Sequence, residues 1–116
     1  MKVIALIYGD EGRWDSFSDK ERNAVYEQYR AFGQQADGRV LDGAELAPTR
    51  SATTVRVRGG ETVVTDGPFA ETKEQLGGFY LLECENLDEA AELAAQIPGA
   101  STGAVEVRTV SEEGSS

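Results

Sequence analysis

Histidine is absent from all 116 residues. Its absence removes Ser-His and Cys-His nucleophile pairs, histidine-held zinc or iron, and the usual proton shuttle near neutral pH. Cysteine occurs once, at Cys84, so the chain has neither an internal disulfide nor a cysteine-cluster metal site. Nothing in this usage points to an oxidising compartment. Long apolar runs are missing too: no stretch approaches the ~20 residues of a bilayer span. The opening run Val3 to Tyr8 meets Gly9-Asp10-Glu11 too early for a secretory leader with its cleavage site. A cytoplasmic protein, away from membranes and with neither metal nor cofactor, is the expectation.

Positive charge is scarce in one half only. The chain carries 11 Lys and Arg against 21 Asp and Glu, a net charge of -10. Residues 1–58 are balanced, and the second half holds the whole acidic surplus, with only Lys73 and Arg108 as cations. Such a surface repels a phosphate backbone, so direct nucleic-acid binding is not expected. The ordinary reading is a solvated acidic face, and the sharper one a docking face for a basic protein partner.

The length suits one compact domain, expected over residues 1–110, with 111–116 as a disordered acidic tail. Val3, Ala5 and Ile7 alternate with Ile4, Leu6 and Tyr8, which predicts a strand covered on both faces. Ser18 stands three residues before Glu21, the spacing of a capping box, so a helix starts there. Its apolar stripe is Val25, Tyr29, Phe32 and Ala36, and Asp37-Gly38 stops it. A short strand is expected over 40–46, interrupted by Asp42-Gly43 and ended by Pro48.

Residues 53–58 and 61–65 alternate around Gly59-Gly60, a pair able to take the positive φ angles of a two-residue hairpin turn. That register sets Val55 opposite Val64, Val57 opposite Thr62 and Arg58 opposite Glu61, with the arginine face in solvent. A strand over 78–84, a helix capped by Asn86 and ended by Pro98-Gly99, and a strand over 104–110 complete the chain. The order contains a βαββαβ frame with an inserted β-hairpin, which implies an α+β, ferredoxin-like sandwich. Two helices cover only one face of such a sheet, and a second copy is the simplest cover for the other, giving a homodimer.

The densest polar cluster is Asp66-Gly67-Pro68-Phe69-Ala70-Glu71-Thr72-Lys73-Glu74. As structure, Asp66 and Pro68 shape a turn and Phe69 anchors the loop in the core. As chemistry, Asp66 is a carboxylate at a strand end that burial would turn into a proton acceptor. Lys73 supplies a positive charge and Glu71 a second acceptor. Tyr8, Trp14, Phe69, Glu71 and Tyr80 are candidates to line a ligand pocket, although tyrosines of this kind are usually core-edge packing and Trp14 has Phe17 to pack on. Cys84 reads as a small buried apolar residue.

Thr65 to Glu74 followed by Leu76-Gly77-Gly78-Phe79-Tyr80-Leu81 resembles the signature of the DGPF family within the YCII-related superfamily. The resemblance extends to Met1 to Asp10, Thr53 to Arg58 and Val105 to Arg108. It implies a dimeric α+β barrel made of two ferredoxin-like protomers, with a ligand cleft near their interface. Relatives are thought to use a histidine-aspartate pair, which this chain cannot supply, and Ile97-Pro98 stands where they tend to place an acid before proline. The resemblance also implies a setting near sigma-factor-dependent transcription. The leading expectation is therefore an unknown small-molecule binder or accessory factor. The alternative is a cofactor-independent enzyme, an isomerase, lyase or monooxygenase, with Asp66 as base and Lys73 or a tyrosine stabilising charge. Docking of a sigma factor on the acidic half, near Glu89 and Glu92, is the third.

Overall fold

The computed structural model describes residues 1–111, so nearly all of the expected acidic tail lies outside the described residues. Strand β1 (Lys2–Gly9) runs into a short helix α1 (Glu11–Asp15) and the long helix α2 (Asp19–Gln35). Strand β2 (Val40–Glu45) and a 3-10 turn (Thr49–Ser51) lead to the hairpin β3 (Thr53–Arg58) and β4 (Glu61–Asp66). Strand β5 (Gln75–Glu83), helices α3 (Leu87–Ala94) and α4 (Gly99–Thr102), and strand β6 (Ala104–Thr109) close the chain. The main sheet has the order β2-β5-β1-β6, antiparallel throughout, while β3 and β4 pair only with each other. This is the expected ferredoxin-like frame with its inserted hairpin.

Helix α2 starts as the spacing predicts. Ser18 Oγ accepts from the Glu21 amide, Glu21 Oε1 accepts from the Ser18 amide, and Gly38 beyond the helix end has φ of +82°. The stripe turns Phe32 and Ala36 onto Val3, Ala5 and Leu82 of the sheet, and α3 adds Ala90, Leu93 and Ala94 to the same core. Burying a side chain such as Phe32 or Leu82 stabilises by ~1.5–3 kcal/mol. Cys84, 3% exposed, belongs to this core. Both helices therefore cover one face of the sheet. The other carries Ile4, Leu6, Tyr8, Phe79 and Leu81, all partly exposed, with Ile4 opposite Leu81 and Leu6 opposite Phe79.

Four details depart from the sequence reading. The expected loop after β1 is helical at Glu11–Asp15, because Asp10 Oδ1 accepts from the Gly12 amide and caps a short turn. Asp42-Gly43 does not break β2: the strand absorbs an irregularity between Val40 and Asp42 and continues, with Gly43 lying under the Tyr80 ring. Strand β5 starts three residues early, at Gln75, since its first residues pair with Tyr8 and Gly9. Helix α3 stops at Ala94, short of Pro98-Gly99, and Pro98 instead opens α4, because it takes helical angles and its missing N–H is not needed at a helix start.

Candidate functional site

The hairpin has the expected register residue for residue, from Thr53 opposite Asp66 to Arg58 opposite Glu61, about a turn with φ of +60° at Gly59 and +80° at Gly60. Its base is clasped to the signature segment that follows: the Gly67 amide donates to Ala52 O at 2.7 Å, and Thr54 Oγ1 donates to Gly67 O at 2.8 Å. Gly67 sits at φ of +97°, where a side chain would be strained. The segment then folds over the 3-10 turn and leaves a groove of about 290 Å³ lined by Thr49, Arg50, Pro68, Ala70, Glu71, Thr72 and Gln75.

A hydrogen-bond network fixes the walls of this groove. Glu11 is its centre: Oε1 accepts from the Thr49 amide and Oε2 from Thr49 Oγ1, both at 2.8 Å, while the Glu11 amide donates to Gln75 Oε1 at 3.0 Å. Gln75 Nε2 donates to Thr72 O at 2.6 Å, and Thr72 Oγ1 to Glu74 O. Arg50 pairs with Asp15 at 3.3 Å. Arg50, Glu71, Thr49 and Thr72 thus line the groove together with Pro68 and Ala70, and its volume is near the lower end for small-ligand sites, ~300 Å³.

Of the candidate catalytic and ligand-binding residues named from the sequence, only Glu71 lines the groove. Asp66 is exposed at the end of β4, so the chain's own residues do not supply the burial that a base reading needs. Lys73 is exposed. Phe69 is 79% exposed, which overturns the expectation that it anchors the loop in the core; the clasp on Gly67 and the Gln75 bonds hold the loop instead. Tyr80 faces α2, its ring 5.1 Å from Phe32, and burial pushes its hydroxyl pKa up. Tyr8 lies on the opposite, uncovered face of the sheet. Trp14 packs 5.8 Å from Phe17, as expected, and 5.5 Å from Tyr26, under the Arg22 guanidinium. Glu11, Thr49, Arg50 and Gln75 escaped the sequence reading because 64 residues separate Glu11 from Gln75 and no local pattern marks them. Glu11 at the turn after β1 and Gln75 at the end of the signature are the only hints.

A larger cleft, about 510 Å³, lies at the opposite end of the sheet among Gly38, Arg39, Glu83, Cys84, Glu85 and Glu89. Arg39 and Glu89 pair across it at 3.3 Å. Burial, then the Glu89 charge, raises the Cys84 pKa, which favours the neutral thiol over the thiolate. Size alone does not make this cleft the site, since its two cations are taken up in ion pairs, Arg39 with Glu89 and the N-terminal amine with Glu83. Among the described residues no helix is long and apolar enough to cross a membrane.

With this geometry in hand, comparison with known proteins places the chain. A protein of Rhizobium meliloti described as uncharacterised is 44% identical over 112 residues, covering 93% of this chain and 90% of its own. A solved structure with a similar fold is the 5-chloro-2-hydroxyhydroquinone dehydrochlorinase of Burkholderia phenoliruptrix in complex with 2,5-dihydroxybenzoquinone. Its TM-score is 0.56 at 16% identity, over 96% of this chain and 94% of that one. The YCII-related domain matches residues 1–113, and the chain belongs to the YCII-related family.

Proposed function

We propose that the protein binds a small molecule, as a sensor or accessory factor, and works as a cytoplasmic homodimer with its ligand in the groove between the signature segment and the Thr49–Ser51 turn. The observation that carries this reading is the Glu11–Thr49 and Gln75–Thr72 network, which holds both walls in place before any ligand arrives. A preorganised wall spares the ligand the ordering free energy that a floppy loop would demand. The mixture of Arg50, Glu71 and Thr72 with Pro68 and Ala70 suits a planar ring bearing hydroxyls. The fold neighbour's bound 2,5-dihydroxybenzoquinone is a probe of that class. Thermal shift and calorimetric titration with 2,5-dihydroxybenzoquinone and hydroxylated hydroquinones test it. Stabilisation that is lost in Arg50→Ala is expected, and no response to any of these compounds would remove the reading.

A second reading, a cofactor-independent enzyme with Asp66 as base, rests on the place of Asp66 two residues before the groove residue Pro68. Positioned general bases contribute ~10²–10⁴-fold. If the wild type consumes such a ring compound, Asp66→Asn is expected to slow it by about that factor, and equal rates in the two proteins would exclude Asp66 as the base.

A further inference from the structure

A polar group recognises a ligand only with the donors and acceptors that the protein has not already used. In the groove between the signature segment and the Thr49–Ser51 turn, the protein spends its side-chain protons on itself. Thr49 Oγ1 donates to Glu11 Oε2 at 2.8 Å, and Thr72 Oγ1 donates to Glu74 O at 2.6 Å. A hydroxyl carries one proton and two lone pairs, so in any bond that either of these threonine hydroxyls makes to a ligand it accepts. Gln75 spends Oε1 on the Glu11 amide and one of its two N–H donors on Thr72 O.

Glu71 adds acceptors alone. Its side chain is exposed and takes part in no hydrogen bond or ion pair among the described residues, and an ionised carboxylate has nothing to donate. Backbone groups supply donors and acceptors in pairs, with two exceptions that lean the same way: Pro68 has no N–H, and the Thr49 amide is spent on Glu11. Side-chain donors remain at Arg50, whose guanidinium makes one ion pair, to Asp15, and at the second N–H of Gln75. The lining therefore has a surplus of acceptors.

We infer that this groove selects its ring by oxygens that carry hydrogen, taking phenolic hydroxyls as donors to Glu71, Thr49 and Thr72. This rests on the ring-binding reading above and adds which form of the ring is selected. A phenol O–H gives each acceptor a hydrogen bond. An aryl ether or a quinone carbonyl presents lone pairs to lone pairs, and it displaces water from Glu71 without returning a bond. A site whose polar groups are left unpaired by the wrong ligand discriminates against that ligand strongly. Glu71 weighs most in this balance, because a hydrogen bond to an ionised acceptor is about twice as strong as one between neutral groups.

Anaerobic calorimetric titration of the full chain with hydroxyhydroquinone and with its trimethyl ether tests this, since O-methylation removes the donors and leaves the ring and its oxygens in place. Hydroxyhydroquinone is expected to bind the wild type at least about tenfold more tightly than the ether. Glu71→Gln keeps the shape of the side chain but makes the acceptor neutral and adds a donor. It is expected to shrink the preference to about threefold or less, chiefly by weakening hydroxyhydroquinone. Thr72→Val is expected to lower the preference as well, and Thr72→Ser to keep it. A preference that survives Glu71→Gln unchanged would belong to the bulk of the methyl groups and would overturn the inference. Equal affinities in the wild type, or tighter binding of the ether, would overturn it too while leaving the ring-binding reading standing. Binding of neither compound to the wild type would remove that reading itself.

Discussion

Single residues show where local chemistry decides. The Glu21 carboxyl is held below its ordinary value chiefly by the Ser18 amide and then by the Ser18 hydroxyl. A carboxyl whose folded pKa is depressed stabilises above its unfolded pKa, near 4.5, and loses that contribution as pH falls through the folded value. Ser18→Ala is expected to destabilise by ~1 kcal/mol at neutral pH and to flatten the acid limb of the stability curve, measured by denaturant melts at several pH values. Gly103 is a packing constraint: a Cβ there would stand 2.1 Å from Tyr8 O, against backbone that cannot give. Gly103→Ala is expected to cost ~1–3 kcal/mol, visible as a lower Tm. The cap was legible at Ser18 because a capping box is local. Phe69 was not, since nothing local says whether an aromatic ring in a polar loop turns inward.

At the scale of elements, helix α2 and strand β5 bury polar tips that titrate. Burial raises the hydroxyl pKa of Tyr29 and Tyr80, and of Tyr26, where Glu45 adds to it. Their neutral forms are favoured by folding, so this contribution is complete below the unfolded tyrosine pKa near 10 and is lost as pH rises through the folded values. Alkaline absorbance titration is expected to show these tyrosines ionising late and with unfolding, and Tyr29→Phe to shift the alkaline limb. The same strand holds Leu82, fully buried, and Leu82→Ala is expected to cost ~2–5 kcal/mol in a denaturant melt. The hairpin register was readable because Gly59-Gly60 and the flanking alternation leave one two-residue turn. The helical turns at Glu11–Asp15 and Gly99–Thr102 were not, because four or five residues are too short to show a helical period.

On the scale of the whole molecule, charge and assembly pull in opposite directions. A chain of net charge -10 repels its own copy, so the proposed homodimer has to form against that repulsion. Raising ionic strength from ~0.01 M to ~0.15 M shortens the screening length from ~30 to ~8 Å, so tighter association in salt is expected by sedimentation equilibrium. Weaker association in salt would mean that opposite charges hold the contact. The Cα radius of gyration, 16.1 Å, exceeds the ~13 Å of a compact domain of this length, and the β3–β4 hairpin forms a sheet separate from the main one. By itself the sequence determined the frame, the caps, the hairpin register and the absence of histidine chemistry. These follow from period, spacing and composition, which act over a few residues. Only the tertiary structure decided that Glu11, Thr49 and Gln75 meet around a groove, that Tyr80 faces the core, and that Asp66 is left exposed. Those facts depend on contacts between residues far apart in the chain, and no local pattern encodes them.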